Sequence, residues 1–239
     1  MSNLEKLSLE LDNKDILARD INIELFEQHK KIYNKIFKRM GDLFLSLLIF
    51  FILLPIFLIV SLLIILESGF PILYKADRGG YHGKTFKICK FRSMVKDADK
   101  IGGGTTALND SRITKVGNFI RKTKIDELPN LLNIIKGEMS FIGPRPELLR
   151  YTNQYIKTEK LILEVRPGIT DFSSIEFINL DEIVGTVNAD ENYEKLVLPK
   201  KNKLRLKYVA NISFITDVKI FFLTIEKVIK KSIKFITKR

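Results

Sequence analysis

Between Leu43 and Leu66 the chain carries no charged side chain over roughly two dozen positions, long enough for one helix to cross a bilayer. No other feature restricts the fold as strongly. A cleaved secretory signal does not fit, because the run starts deep in the chain and lacks a small-residue cleavage site. Pro55 falls near its middle. Proline removes a backbone hydrogen bond and kinks a helix. Each arm of about a dozen residues would be ~18 Å long, against a hydrocarbon core of ~30 Å. Two geometries fit: a kinked helix that spans the bilayer, which the length favours, and a hairpin that enters and leaves by one leaflet. Lys38 and Arg39 precede the run and Lys75 and Arg78 follow it, so the positive-inside bias is compatible with both ends being cytoplasmic.

The rest of the chain is basic. A formal net charge of +12 predicts an anionic partner, and nucleic acid, lipid headgroups and a phosphorylated substrate all qualify. The basic residues are dispersed, with no helix-turn-helix or aromatic RNA-binding signature, which argues against nucleic acid. A single cysteine, Cys89, excludes an intrachain disulfide and a cysteine-rich metal site, and His29 and His82 are too few and too scattered for a histidine cluster. Residues 1–39 form a polar arm with apolar residues at loosely helical spacing. It ends in Lys30, Lys31, Lys35, Lys38 and Arg39, a cluster that anionic lipid attracts by ~1 kcal/mol per residue. Residues 40–69 hold the membrane helix, and residues 70–239 have the composition of one soluble domain.

In that domain, Pro71–Lys75 and Lys84–Phe91 read as strands around the turn residues Arg78 to Gly83. Gly102-Gly103-Gly104-Thr105-Thr106 lacks the Gly-Lys-Ser/Thr ending of a phosphate loop and reads as a plain loop. Ile113–Lys122 predicts a short helix ending in Arg121-Lys122. Leu128, Leu131, Leu132 and Ile135 share one face of another, with Pro129 in its first turn and Gly137 beyond its end. Asp126 and Glu127 then stand at the mouth of that helix, where backbone N–H groups favour negative charge. Successive helix residues point about 100° apart, so the two carboxylates suit two different jobs. Gly143-Pro144-Arg145-Pro146 follows, with two prolines stiffening the chain around one guanidinium. Glu147–Leu163 reads as a further helix. The C-terminus is an amphipathic helix, with Val218, Phe221, Phe222, Ile225, Ile229, Ile233 and Ile236 in one stripe and lysines around the rest. Such a helix lies well in a membrane interface, and packing on the domain fits it equally.

The string running from Asn109-Asp110-Ser111-Arg112-Ile113-Thr114 through Val116-Gly117, Phe119-Ile120-Arg121-Lys122, Asp126-Glu127-Leu128-Pro129 and Gly143-Pro144-Arg145-Pro146 resembles the bacterial sugar transferases, the monotopic phosphoglycosyl transferases. Lys90-Phe91-Arg92-Ser93-Met94, Arg166-Pro167-Gly168-Ile169-Thr170 and Tyr208-Val209-Ala210-Asn211-Ile212-Ser213 match further family landmarks. The resemblance covers about Met40 to Ile236. It implies an α+β monotopic membrane protein: a re-entrant helix broken at Pro55, amphipathic interfacial helices, and a small mixed catalytic domain on the cytoplasmic face of the bacterial inner membrane. The serine that usually precedes the proline is Leu54 here, and Asp171 to Phe177 departs from the common continuation after Thr170, which leaves the sugar open.

It further implies transfer of a sugar 1-phosphate from a UDP-sugar to polyprenyl phosphate, with UMP released, as the first membrane step of glycan assembly. Asp126 would be the nucleophile and Glu127, with Asp126, would hold Mg²⁺, which is bound by one or two carboxylates plus substrate oxygens. Lys90, Arg92, Arg121 and Arg145 would contact the phosphates. A homodimer is left open as a partner state. Two rivals stand beside this expectation: a membrane-bound lipid-phosphate hydrolase and a membrane-tethered nucleic-acid-binding regulator.

Overall fold

The computed structural model describes residues 32–101, 106, 110–185 and 187–237. Most of the N-terminal arm and residues 102–105 of the glycine-rich loop lie outside the described residues. A π-helical turn, Tyr33–Phe37, leads into α1, Lys38–Ser68; the break expected at Pro55 is not present, and one helix continues through that residue. Its inward face carries Ile49, Phe50, Phe57, Val60 and Ile64, and two small apolar cores form on it. Val60, Ile64 and Phe57 pack with Phe91 and Ile120, while Ile49, Phe50 and Phe57 pack with Phe86, Ile88, Leu131 and Ile134. The opposite face stays bare: Phe44, Phe51, Leu58 and Leu66 are each 65–75% exposed.

Two strands, β1 (Leu73–Gly79) and β2 (Thr85–Phe91), pair antiparallel with Leu73 opposite Phe91 and Gly79 opposite Thr85. The first strand is thus longer and later than the sequence suggests, because Arg78 and Gly79 join the ladder and the turn shrinks to Gly80–Lys84. The helix α2, Lys115–Lys122, is N-capped by Thr114, whose hydroxyl accepts from Gly117 N at 2.9 Å. A Cβ on Gly117 would come within 1.9 Å of the Ser93 carbonyl oxygen, so only glycine lets this helix rest on the strand exit. Lys124, left-handed at φ 61°, redirects the chain into a 3₁₀ turn, Ile125–Glu127, and then α3, Asn130–Lys136. Gly137 ends α3 at φ 84°, as its position predicts.

Next come β3 (Ser140–Ile142) and β4 (Gly168–Thr170), paired parallel. Between them the helix expected over Glu147–Leu163 is corrected to a four-residue helix, Leu149–Thr152, and a 3₁₀ stretch, Lys157–Glu164, separated by extended Ile156. Burial of Tyr155 and Ile162 against Leu206 decides this, as tertiary packing overrides a modest helix propensity. The helix α4, Phe172–Glu176, is capped by Asp171, and α5, Leu198–Ala210, lies against it. The last helix, α6, Phe214–Thr237, docks through Ile220 and Leu223. Its predicted stripe is not the docking face: Phe221, Phe222, Ile225 and Ile229 are exposed. The side chains of Ile233 and Ile236 lie outside the described residues.

Candidate active site

Three elements meet at the 3₁₀ turn. β2 delivers Lys90, the turn delivers Asp126 and Glu127, and the segment after β3 delivers Arg145. Glu127 is gripped from two sides. Lys90 Nζ donates to Oε1 at 3.1 Å, while Arg145 donates through Nη2 to Oε1 at 2.5 Å and through Nη1 to Oε2 at 3.1 Å. Arg145 Nη1 also donates to the Ile169 carbonyl at 2.9 Å. A bidentate fork of this kind fixes both orientation and charge. Burial alone would raise the Glu127 carboxyl, but Arg145 and Lys90 overturn that and hold it well below the usual carboxylate range.

Asp126 is the opposite case. It is buried, and its Oδ1 has no hydrogen-bond partner. Burial raises its pKa above the ordinary 3.8, and Glu127 adds to the rise while Lys90, Lys124 and Arg121 oppose it. The two neighbouring carboxylates therefore differ, one fixed in an ion pair and one left with a free oxygen. Lys90 itself is pulled below its ordinary value, chiefly by burial.

The arginine segment is braced by close backbone approach. Gly143 N donates to Thr170 O and Gly168 N to Pro144 O, both at 3.0 Å. A Cβ on Gly143 would lie 2.4 Å from the Arg166 carbonyl oxygen.

The other two predicted phosphate contacts sit at a distance from this grip. Arg121 reaches Ser93 Oγ at 3.5 Å and lies close enough to act on the Asp126 charge. Arg92 is drawn to the exit of α1: its Nη2 donates to Ser68 O at 2.8 Å, Ser68 Oγ at 2.7 Å and Gly69 O at 2.6 Å. Its Nε and Nη1 are buried without partners.

Sequence reasoning misses Asn130, which is wholly buried with both amide atoms unpartnered. It misses Asn133 too, which clamps α3 to β2 by accepting from Cys89 N at 2.9 Å and donating to Lys87 O at 2.8 Å. The available signal is two asparagines, three apart, inside an otherwise apolar helix.

Among the described residues no group of three or more His, Cys, Asp or Glu side chains is placed to hold a metal. Mg²⁺ needs no such cage when substrate phosphates and water supply most of its ligands. The free Asp126 Oδ1 and the adjacent Glu127 carboxylate fit that mode of binding. Glu127 has three of its lone-pair positions taken by Lys90 and Arg145, so Asp126 offers the more available oxygen.

Residues 33–231 match the family model described as bacterial sugar transferase. The chain is 35% identical over 209 residues to the UDP-glucose:undecaprenyl-phosphate glucose-1-phosphate transferase of Escherichia coli, covering 86% of this chain and 43% of that protein. It is 34% identical over 178 residues to the UDP-N-acetylgalactosamine-undecaprenyl-phosphate N-acetylgalactosaminephosphotransferase of Aeromonas hydrophila, covering 73% and 39%. Against the uncharacterized sugar transferase EpsL of Bacillus subtilis it is 37% identical over 194 residues, covering 81% and 88%. The chain thus spans less than half the length of the first two relatives and most of the third.

Proposed function

Because the chain belongs to the bacterial sugar transferase family, we propose that it transfers a sugar 1-phosphate from a UDP-sugar to polyprenyl phosphate, the undecaprenyl lipid named in its relatives. The observation that carries this reading is the free, buried Oδ1 of Asp126 beside a Glu127 already held by two cations. Asp126 Oδ1 attacks the phosphorus that bears the sugar. The bond from that phosphorus to the bridging oxygen breaks, and UMP leaves with the electron pair. An oxygen of the lipid phosphate then attacks the same phosphorus, and the Asp126 carboxylate is released unchanged. Covalent catalysis splits one difficult displacement into two easier ones.

Arg145 and Lys90 neutralise the approaching diphosphate as well as Glu127, and Arg121 stands on the Asp126 side. A bound Mg²⁺, held by Asp126 and Glu127, would supply charge stabilisation for the displaced phosphate oxygens.

The membrane reading follows from how α1 is tied down. At ~1.5 Å per residue a helix of this length measures ~46 Å, yet both of its ends are bonded to the same domain. At the start, Arg39 donates to the carbonyls of Ile134 and Ile135, and Phe141 N donates to Asp42 Oδ1. At the finish, Glu67 accepts from Lys115 N and Val116 N, and Arg92 holds Ser68 and Gly69. A helix that crossed the bilayer would carry one end away to the far side, so these ties support a re-entrant helix with both ends on the cytoplasmic face of the inner membrane. The exposed faces of α1 and α6 would lie in lipid, which keeps the site at the surface where one substrate resides. Thiol labelling by an impermeant reagent tests this: Met40→Cys and Phe70→Cys, both at exposed positions, should react from one side of sealed vesicles only.

The reaction is tested by mixing the protein with each of a panel of UDP-sugars. The expected results are UMP in solution, a phosphosugar adduct in the intact mass, and radiolabelled sugar in the lipid phase once polyprenyl phosphate is added. Release of UMP only when donor and lipid are both present would overturn the covalent route. Inorganic phosphate in the aqueous phase would point to a hydrolase.

A further inference from the structure

The two sides of the arginine segment are held differently. Upstream, Gly143 and Pro144 are laced to β4 by backbone hydrogen bonds. Downstream, Pro146 has no N–H to offer, so the next residue must do the holding. Glu147 does so twice. Its carbonyl accepts from Gly79 N at 3.2 Å, and its Oε1 accepts from both Arg205 Nη2 and the Tyr193 hydroxyl, with Lys201 Nζ at 3.9 Å.

Arg205 is completely buried, and its Nη1 donates to Asn202 Oδ1 at 2.8 Å, which also receives the Tyr155 hydroxyl at 3.3 Å. Lys201 and Arg205 turn inward and converge on one acid, 58 residues before Arg205 in the chain. Burial would push the Glu147 carboxyl up, yet Arg205 and Lys201 hold it at about 2.

We infer that Glu147 is a positioning residue for Arg145: anchored by Arg205, Tyr193 and Lys201, it fixes the downstream end of the Gly-Pro-Arg-Pro segment and so keeps the Arg145 fork on Glu127. The inference deepens the proposed transferase reading, because the property it sets is the placement of a phosphate-facing guanidinium. It also gives the segment from Tyr193 to Arg205 a task at the active site, although none of its side chains touches Asp126 or Glu127 through a hydrogen bond or ion pair among the described contacts.

The test is a double-mutant cycle read in UMP release from a UDP-sugar, with kcat and KM separated. Glu147→Gln is expected to lower kcat/KM by about tenfold, within the range that mutations along a coupled network produce. That loss should disappear in an Arg145→Ala background, since Glu147 then has nothing left to position. Tyr193→Phe removes the hydroxyl's two hydrogen bonds, the one it donates to Glu147 Oε1 and the one it accepts from Lys201 Nζ, and leaves the Arg205–Glu147 ion pair. It should give a smaller loss with the same dependence on Arg145, and it carries the test if Glu147→Gln does not fold. Equal fold-losses with and without Arg145 would overturn the inference.

A second cycle needs no substrate. If Glu147 holds the fork in place, Glu127→Gln should lower the melting temperature less in the Tyr193→Phe background than in the wild type, and full additivity would again overturn it. Failure of the wild type to release UMP from any donor would strike the proposed reaction and leave this second cycle to decide the positioning role.

Discussion

Two buried acid–base clusters lie on either side of Arg145, and they are built to opposite ends. Around Glu147 the acid is met by Arg205, Tyr193 and Lys201, and Asn202 and Tyr155 complete the surroundings. At the 3₁₀ turn Glu127 is equally well met, yet its neighbour Asp126 keeps one buried oxygen without a partner. A buried polar atom left unsatisfied costs about 1–3 kcal/mol. In the first cluster the atom left unpartnered is a donor, Arg205 Nε, while in the second it is a carboxylate oxygen, where chemistry is proposed.

The contrast is broken most sharply by comparing the two carboxylates directly. Asp126→Asn should cut UMP release by roughly 10⁴-fold or more, as loss of an essential nucleophile does, and abolish the phosphosugar adduct. Glu127→Gln should leave the adduct detectable while raising the Mg²⁺ needed for half-maximal turnover. A full-strength adduct on the Asp126→Asn protein would move the nucleophile elsewhere.

Acid titration separates the clusters in a second way. Asp126, raised above 3.8 by burial, is protonated at a pH where an ordinary aspartate is still charged, so UMP release should fall early, about tenfold per pH unit below its pKa. Its protonation removes an unfavourable buried charge and does not destabilise the fold. Glu147 runs the other way. Its folded value of about 2 lies below the ordinary 4.5, so its contribution to stability is complete above pH 4.5 and is lost progressively towards pH 2. Activity should therefore vanish on acidification while the near-ultraviolet circular dichroism remains native. Coincident loss of both would show that the acid limb reports unfolding.

The parts of the site that were legible in the sequence are those written locally. Asp126, Glu127 and Arg145 stand in short ordered strings, and Gly137 ends α3 where turn chemistry places it, while Pro129 caps the helix one residue ahead of the first turn expected for it. Partnerships were not legible, because they are long-range: Lys90 meets Glu127 across 37 residues, and Lys38 meets Asp217 across 179. Arg92 reads as a phosphate contact in its Lys-Phe-Arg string, yet folding spends one of its nitrogens on the end of α1. The apolar run announced a membrane element but not its course, since the ties that hold both ends come from Ile134, Phe141 and Lys115, far along the chain. The amphipathic stripe of α6 was visible, but only packing of Ile220 and Leu223 shows that a different face docks.

Asn130 supplies the smallest and most discriminating effect. It is wholly buried at the first position of α3, and neither amide atom has a partner, so its desolvation is uncompensated. Leucine is close to it in size and carries no polar atom. If the side chain simply lies in the apolar seam with Leu131 and Ile134, Asn130→Leu should stabilise the fold by about 1–3 kcal/mol. That corresponds to a rise in melting temperature of roughly 2–4 °C per kcal/mol for a domain of this size. The same change at a satisfied amide must do the reverse: Asn133→Leu strips Cys89 N and Lys87 O of their partner and should lower the melting temperature. Stabilisation at 130 with destabilisation at 133 would extend the distinction between open and closed polar groups from the acids to the amides of a single helix. A fall at both positions would mean that Asn130 is satisfied in solution, and that its orphaned amide cannot be counted with the free oxygen of Asp126.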